Sequence, residues 1–208
     1  MAKFKIEVLA ARAAKNGISF RDKLIAYMPR YAPLASKLGF LLNLRDTVPG
    51  LAALSEPIIG MSAKRSLPKW ARPFAPKASV MGAENGTEVV LFADTFNNYF
   101  HPSTSQAAWE VLTGAGFTVH VPQLHEHICC GRPLYDFGLL EDAKKYLLCV
   151  LEVLGPKIEA GLPVIMLEPS CASVFRDEMC NLLPENPVAK KLKAQTFALS
   201  EFLQSKGA

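Results

Sequence analysis

The sequence lacks several features that would assign its 208 residues to a familiar class. No apolar run approaches the roughly 18–20 residues that a membrane-spanning helix needs. The first half contains no cysteine. The second half contains an odd number of cysteines, and the sequence shows no signal-peptide pattern. This cysteine usage excludes a disulfide scaffold and predicts a reducing, cytoplasmic location. No Ser/His/Asp nucleophile arrangement stands out. The cysteines that are present are Cys129, Cys130, Cys149, Cys171 and Cys180.

Acidic residues are scarce in the first part of the chain, so the charge is unevenly distributed. Residues 1–80 carry 14 Lys and Arg against 4 Asp and Glu, whereas residues 81–208 carry 9 against 15. A basic part beside an acidic part suggests a surface between domains or subunits, or an anionic partner. No nucleic-acid-binding motif accompanies the basic part, so we do not expect nucleic acid as a partner.

The patterns divide the chain into three regions. Residues 1–62 place apolar side chains at helical spacing in several short helices, with Gly17 as a stop and Ser19 as the next cap. Residues 63–86 are irregular and rich in proline and glycine, as expected of a linker. Residues 87–208 alternate between strand and helix patterns. We therefore expect a helical segment, a linker and one α/β domain.

The α/β region contains three strand patterns, each followed by helix. The strands are predicted at 88–93, 117–121 and 164–167, and the helices at 103–113 (capped by Ser103), 139–158, 170–181, 188–194 and 199–205. Strands joined by helices form right-handed βαβ units and a parallel sheet. The prediction is a Rossmann-like domain of three βα units. Three strands are few for such a sheet, which suggests a missing remainder.

A polar or cysteine-bearing loop follows each predicted strand. These loops are residues 94–102, the segment around Cys129-Cys130-Gly131, and residues 168–173. The carboxyl ends of parallel strands meet at one edge of a sheet, where ligands and chemistry collect. We therefore expect the three loops to form one site.

The cysteines in these loops are suited to metal binding. Cys129 and Cys130 are adjacent, and a disulfide between neighbours is strained. Cys171 is predicted at a helix N-terminus, where the dipole favours the thiolate that binds metal. Three cysteines from two loops are a partial ligand set for an iron–sulfur cluster or zinc. His125 or His127 could tune a cluster or ligate zinc, or both could be solvated loop residues.

The other candidates have ordinary interpretations beside the functional ones. Asn98 and Tyr99 could line the site, although Asn-Asn is also a common turn sequence. Arg132 could hold an anionic substrate or balance a cluster's charge, or form a salt bridge to Asp136. Cys129, Cys130 and Cys171 could also be ordinary small residues that are buried in the core without a functional role.

Two cysteines are predicted to serve packing alone. Cys149 lies within the apolar pattern of a long helix and is expected in the core. Cys180 is expected to pack in the core or at the surface.

Three runs of residues resemble a known family. They are LFADTFNNY (91–99), CCGRPLYD (129–136) and LEPSC (167–171). They resemble the cysteine-rich (CCG) domains of heterodisulfide reductase and glycolate oxidase iron–sulfur subunits. They are still more similar to the iron–sulfur part of long FAD-linked dehydrogenases of the D-lactate and D-2-hydroxyglutarate type. The N-terminal helices resemble the segment that follows a ferredoxin-type cluster motif in such proteins.

The resemblance implies a fold, a function and a set of partners. It implies the electron-transfer, iron–sulfur portion of a flavin-dependent 2-hydroxyacid oxidoreductase, without a self-contained active site. Cys129, Cys130 and Cys171 would be thiolate ligands of a 4Fe-4S-type cluster, with Arg132 as a positive charge behind them. FAD would belong to a flavoprotein domain or subunit, and a ferredoxin-type cluster domain would be a further partner. Peripheral membrane association would come through the partner.

Two positions depart from the family pattern. Thr95 stands where a lone cysteine is expected, and Val174 where the last Cys-x-x-Cys motif has its second cysteine. The sequence therefore predicts an incomplete ligand set, in a fragment or in a subunit completed by another chain. Two alternatives remain open: a docking module whose degenerate cysteines bind no metal, and a structural zinc site.

Overall fold

The computed structural model describes residues 2–76, 80–82, 86–122 and 128–206. Its helices are α1 (Ala2–Asn16), α2 (Phe20–Ala26), α3 (Met28–Lys37), α4 (Gly39–Leu42), α5 (Leu44–Thr47), α6 (Leu51–Ile59), α7 (Thr95–Tyr99), α8 (Pro102–Gly114), α9 (Arg132–Asp136), α10 (Leu140–Glu159), α11 (Pro169–Ser173), α12 (Met179–Leu182), α13 (Pro187–Gln195) and α14 (Leu199–Lys206). A π-helical segment (Val174–Glu178) joins α11 to α12. The strands are β1 (Val80–Met81), β2 (Glu88–Phe92), β3 (Thr118–His120), β4 (Val164–Met166) and β5 (Thr196–Ala198).

One sheet organises the second part of the chain. The strand order is β1-β3-β2-β4-β5, with β1 antiparallel to β3 and the other pairs parallel. The α/β class and the three central strands are confirmed. The count of three strands is wrong, because β5 lies between two helical patterns and β1 lies within the stretch interpreted as a linker. Neither belongs to a longer apolar run like those that contain β3 and β4, and their pairing comes from neighbouring strands.

The sheet is buried on both faces, as in other parallel sheets covered by helices. Along β2, Val90 and Phe92 face a core formed with α10, α13 and the π segment. Val89 and Leu91 face the opposite core, which α8 and α14 close. Alternate residues of β2 face opposite sides of the sheet. Because both sides are buried, Val89 to Phe92 form an unbroken apolar run.

The N-terminal helices pack against the edge of the sheet that carries the cysteines. Ala26 of α2 is buried beside Leu134 and Ala143. The Tyr27 hydroxyl donates a hydrogen bond of 2.6 Å to Asp142. The predicted cap of α2 is confirmed, because the Ser19 hydroxyl accepts a 3.1 Å hydrogen bond from the backbone of the third helical residue.

The predicted cap of α8 is wrong by two residues. The helix begins at Pro102, with His101 as its N-cap residue, so Ser103 lies inside the first turn. Proline suits the first helical position because its missing N–H would have no helical partner there.

Cys149 is exposed rather than buried, which corrects the expectation from the sequence. The buried stripe of α10 runs through Leu147, Val150, Leu151 and Leu154. Residue 149 falls outside this helical spacing. No helix in the described part of the chain is long and apolar enough to cross a membrane.

Candidate functional site

The loops after β2, β3 and β4 meet at one edge of the sheet and enclose a cavity of about 430 Å³. The described loops contribute Thr95, Cys129, Cys130, Arg132, Glu168 and Cys171 to its walls. The three cysteines predicted as ligands are thus brought together. His125 and His127 lie outside the described residues.

The cysteine thiols form a buried hydrogen-bonded group. The Cys130 Sγ lies 2.9 Å from the Cys171 Sγ and donates to it. The Cys129 Sγ accepts a 3.4 Å hydrogen bond from the Gly131 backbone N–H. The three residues are between 1% and 5% exposed. Cys129 also interacts with the Cys130 thiol and with the hydroxyl of Thr95.

Gly131 has a structural reason to follow the cysteine pair. Its φ of +78° lies in the left-handed region, where a side chain is strained. A Cβ at this position would also lie 3.2 Å from the Ala143 carbonyl oxygen of α10. Glycine therefore lets the cysteine loop turn directly onto the start of α9.

All three thiols have a raised pKa. For Cys129 the hydrogen bond to Cys130 is the main cause of the higher pKa, and burial adds to it. For Cys130 the hydrogen bond from Cys129 lowers the pKa, but donation to Cys171 and burial outweigh that effect. The raised pKa values indicate that the three cysteines are protonated thiols, linked to one another by hydrogen bonds.

Cys171 does not have the thiolate-favouring environment that the sequence predicted. The hydrogen bond from Cys130 lowers its pKa, but burial and the negative charges of Asp94 and Glu168 raise it further than that. The helix that begins near Cys171, α11, has only five residues. Burial is thus the largest cause that raises the pKa of Cys171, and the nearby negative charges add to it.

Thr95 and Asp94 form the β2 side of the site. Asp94 is buried, and its carboxylate caps α7 by accepting hydrogen bonds of 2.9 and 3.1 Å from the Phe96 and Asn97 N–H groups. Burial raises the pKa of Asp94, although the Asn97 side chain and backbone oppose this. The cap orients the first turn of α7 and places Thr95 beside Cys129. The sequence pattern identified Thr95 only as a missing cysteine and did not single out Asp94. The available signal for Asp94 was its position in the loop that follows β2.

Arg132 connects two parts of the site. Its Nε lies 3.1 Å from the Asp136 carboxylate, as the salt-bridge interpretation predicts. Its Nη1 lies 2.6 Å from Glu178, which also accepts a hydrogen bond from Ser173. Arg132 therefore ties the cysteine loop to the π segment that follows Cys171. Glu178 is a site residue that sequence reasoning missed, because it comes from a distant helix.

Asn98 and Tyr99 are placed at the junction with the N-terminal region and do not line the cavity. The Asn98 side chain accepts a 2.9 Å hydrogen bond from the Phe74 N–H. Tyr99 is buried with Ala32 and Phe100. Their contacts hold residues 71–74 against the sheet region.

Val174 occupies the position expected for a further cysteine, and it is buried in the core beneath the site. Within the ranges that the structure describes, no group of three or more His, Cys, Asp and Glu side chains has the spacing to hold a metal ion. Two sulfurs that bind one zinc ion at 2.3 Å lie about 3.8 Å apart, whereas Cys130 and Cys171 are 2.9 Å apart. Three cysteines are the residue type that holds an iron–sulfur cluster or zinc, and the Cys130 and Cys171 sulfurs would separate by about 1 Å to share one zinc ion.

Comparisons with known proteins identify relatives at low identity. A subunit of the anaerobic glycerol-3-phosphate dehydrogenase of Escherichia coli (strain K12) is 24% identical over 170 residues, which are 79% of this chain and 42% of the relative. Lactate utilization protein A from Halalkalibacterium halodurans is 33% identical over 120 residues, covering 56% of this chain and 46% of the relative. The Bacillus subtilis (strain 168) protein of the same name is 31% identical over 120 residues, with coverages of 56% and 48%.

The chain spans about half the length of the curated relatives it matches. No family model matches the sequence, and no solved structure gives a significant match. The relatives agree with the resemblance that the cysteine-bearing runs indicated: the chain is a low-identity homologue of an anaerobic glycerol-3-phosphate dehydrogenase subunit and of lactate utilization proteins.

Proposed function

We propose that this chain is the iron–sulfur electron-transfer portion of a flavin-dependent 2-hydroxyacid oxidoreductase of the glycolate, D-lactate or D-2-hydroxyglutarate type. The observation that carries the proposal is the convergence of Cys129, Cys130 and Cys171 on one cavity at the carboxyl edge of the sheet. The names of the relatives, a dehydrogenase subunit and lactate utilization proteins, support an oxidoreductase role.

The three cysteines would hold the cluster as thiolates, and a bound cluster supplies one-electron transfer. Because the pKa values of the metal-free thiols are raised, cluster binding must displace three protons, and it weakens as the pH falls. Thr95 stands next to Cys129 in the position of a fourth protein ligand. Arg132 and Glu178 would hold the two cysteine-bearing segments together.

The flavin and a ferredoxin-type cluster would be carried by another domain or subunit. The N-terminal region supports such a partner, because it is basic and exposes large apolar side chains. Phe4, Phe40, Leu54 and Ile58 are each at least 70% exposed. Association with a membrane would come through that partner.

The test is an anaerobic purification followed by measurement of iron, zinc and acid-labile sulfide per chain. The proposal expects iron and sulfide in similar amounts, with the broad visible absorption of thiolate-bound clusters. The Cys149→Ser variant is the matched control, because it removes an exposed cysteine outside the site. Zinc without sulfide would replace the proposal with a structural zinc site.

A docking module without metal is the second candidate, and the buried Val174 favours it. Protein that contains no metal after anaerobic purification and reconstitution, yet binds a flavoprotein partner, would establish this alternative. Replacement of both Cys129 and Cys130 by serine would then leave partner binding unchanged.

A further inference from the structure

The closest pair of thiols in the site comes from two distant segments of the chain. Cys130 lies on the loop after β3, and Cys171 lies in α11 after β4. Their sulfurs are 2.9 Å apart, which is about 0.9 Å longer than a disulfide bond of about 2.05 Å. The two sulfurs are therefore the nearest candidates in the site for a disulfide bond.

Several contacts hold these two segments in place. Gly131 turns the first segment against α10, with a positive φ of 78°. Arg132 bridges from the first segment to Glu178, and Glu178 accepts a hydrogen bond from Ser173 of the second segment. The short distance between the sulfurs is therefore a product of the folded structure rather than of local sequence.

We propose that Cys130 and Cys171 form a reversible intrachain disulfide in the metal-free protein, by exchange with a low-molecular-weight disulfide that enters the cavity. Both residues line the cavity of about 430 Å³, and Cys171 is the more exposed of the two, at 5% against 1%, so the small disulfide approaches Cys171 through the cavity. Cys129 is the poorer partner for Cys130, because a disulfide between adjacent residues is strained.

The exchange balances in two steps. The Cys171 sulfur attacks one sulfur of the small disulfide RS–SR, and the first RS group leaves as RSH with the proton that Cys171 gave up. The Cys130 sulfur then attacks Cys171 in the mixed disulfide, and the second RS group leaves as RSH with the proton of Cys130. The cysteine pair loses two electrons, and the small disulfide gains them.

Burial and nearby negative charges raise the pKa of Cys171, but within the pair it is the expected first nucleophile, because it accepts the hydrogen bond. Donation from the Cys130 S–H stabilises negative charge on the Cys171 sulfur. Cys130 is then in position to resolve the mixed disulfide without a rearrangement of the backbone.

The disulfide and a metal compete for the same sulfurs, because metal binding requires thiolates. This consequence alone rests on the proposed function. An oxidised pair would leave Cys129 as the remaining thiol of the three, so the oxidised protein would not accept a cluster until a thiol reductant restores the pair.

The experiment treats the full chain, freed of metal by chelation under reductant, with oxidised glutathione. Thiols are then alkylated in denaturant, and the digested protein is examined by mass spectrometry. The expected product is a Cys130–Cys171 cross-link with loss of two hydrogens, reversed by dithiothreitol. Cys149→Ser and Cys180→Ser should form the same cross-link, whereas Cys130→Ser and Cys171→Ser should not.

Recovery of Cys130 and Cys171 as alkylated thiols, with glutathione only on exposed Cys149, would overturn the inference, as would a Cys129–Cys130 disulfide. The decisive result comes from the unmodified sequence, so it does not depend on the folding of a variant. Iron content is measured on separate, reduced protein. A cross-link in a protein that takes up no iron would uphold this inference and reject the proposed function. Iron uptake without the cross-link would uphold the proposed function and reject this inference.

Discussion

The sheet region and the N-terminal helical region use their apolar residues differently. In the sheet region β2 buries Val89, Val90, Leu91 and Phe92 almost completely. In the helical region α6 has no buried residue, although its sequence is strongly apolar. The difference teaches that the sheet region carries most of the hydrophobic stabilisation. The helical region packs against the cysteine-bearing edge and leaves large apolar side chains exposed.

The largest expected effect is in the core of the sheet region. Phe92 and Phe175 are buried and meet edge to face, with ring centroids 5.2 Å apart. Phe92→Ala should lower the free energy of unfolding by about 3–5 kcal/mol, because it removes buried contacts and leaves a cavity. Phe40→Ala, on a residue that is 70% exposed, should change the free energy by less than about 0.5 kcal/mol. Denaturant titration measures both, and equal losses would contradict the comparison.

The second effect concerns the junction of α1 with the sheet region. Gly138 has a φ of +75°, and a Cβ there would lie 2.5 Å from the backbone nitrogen of Ala10. Gly138→Ala should therefore displace α1 and lower the free energy of unfolding by at least about 1–2 kcal/mol, the cost of the left-handed backbone alone. Limited proteolysis should show faster cleavage within α1.

Gly155 supplies the control for this substitution. It lies within α10, and apart from its own helix backbone and its chain neighbours nothing is within 4 Å of an added Cβ. Gly155→Ala should change the free energy of unfolding by less than about 1 kcal/mol, because the gain in helix propensity is opposed by the contact of the new Cβ with the ring of Pro156. A Gly138→Ala protein whose α1 resists protease as well as that of the unmodified chain would show that the junction is not needed.

The smallest effect is a single hydrogen bond across the junction. The Tyr27 hydroxyl donates to Asp142 and is the main cause of the lowered pKa of that carboxyl, with Lys145 adding to it. Tyr27→Phe should cost about 1 kcal/mol at neutral pH. A group whose pKa is lowered by folding stabilises above its unfolded pKa and loses that effect as the pH falls through its folded pKa. The difference between the two proteins should thus shrink below about pH 4.

A double-mutant cycle isolates this contact. Tyr27→Phe combined with Asp142→Ala should cost less than the sum of the two single changes, by about 0.5–1 kcal/mol. Strict additivity in urea titrations at neutral pH would show that the hydrogen bond contributes nothing to the junction.

Much of the fold could be predicted because its signals are local. The central strands are apolar runs buried on both faces, and long α10 has a clear helical period. Strands β1 and β5 could not be predicted, because neither belongs to a longer apolar run like those that contain β3 and β4. Cys149 was misplaced because a long, largely apolar helix leaves the exact edge of its buried stripe undefined.

The site also has features that the local sequence predicts and features that it does not. The gathering of Cys129, Cys130 and Cys171 could be anticipated from the position of each loop after a parallel strand. The pKa direction of Cys171 could not, because it depends on burial and on the charges of Asp94 and Glu168 from other segments. The bridge from Arg132 to Glu178 joins residues 46 positions apart, which no local pattern shows.

The most direct test of the central claim is anaerobic reconstitution with iron and sulfide, comparing the unmodified chain with Cys171→Ser and Cys149→Ser. We expect the unmodified chain and Cys149→Ser to bind iron and sulfide equally, and Cys171→Ser to lose at least about tenfold in affinity, because it lacks one of three thiolate ligands. Equal iron and sulfide in all three proteins would contradict the assignment of the cysteine-lined cavity as the cluster site.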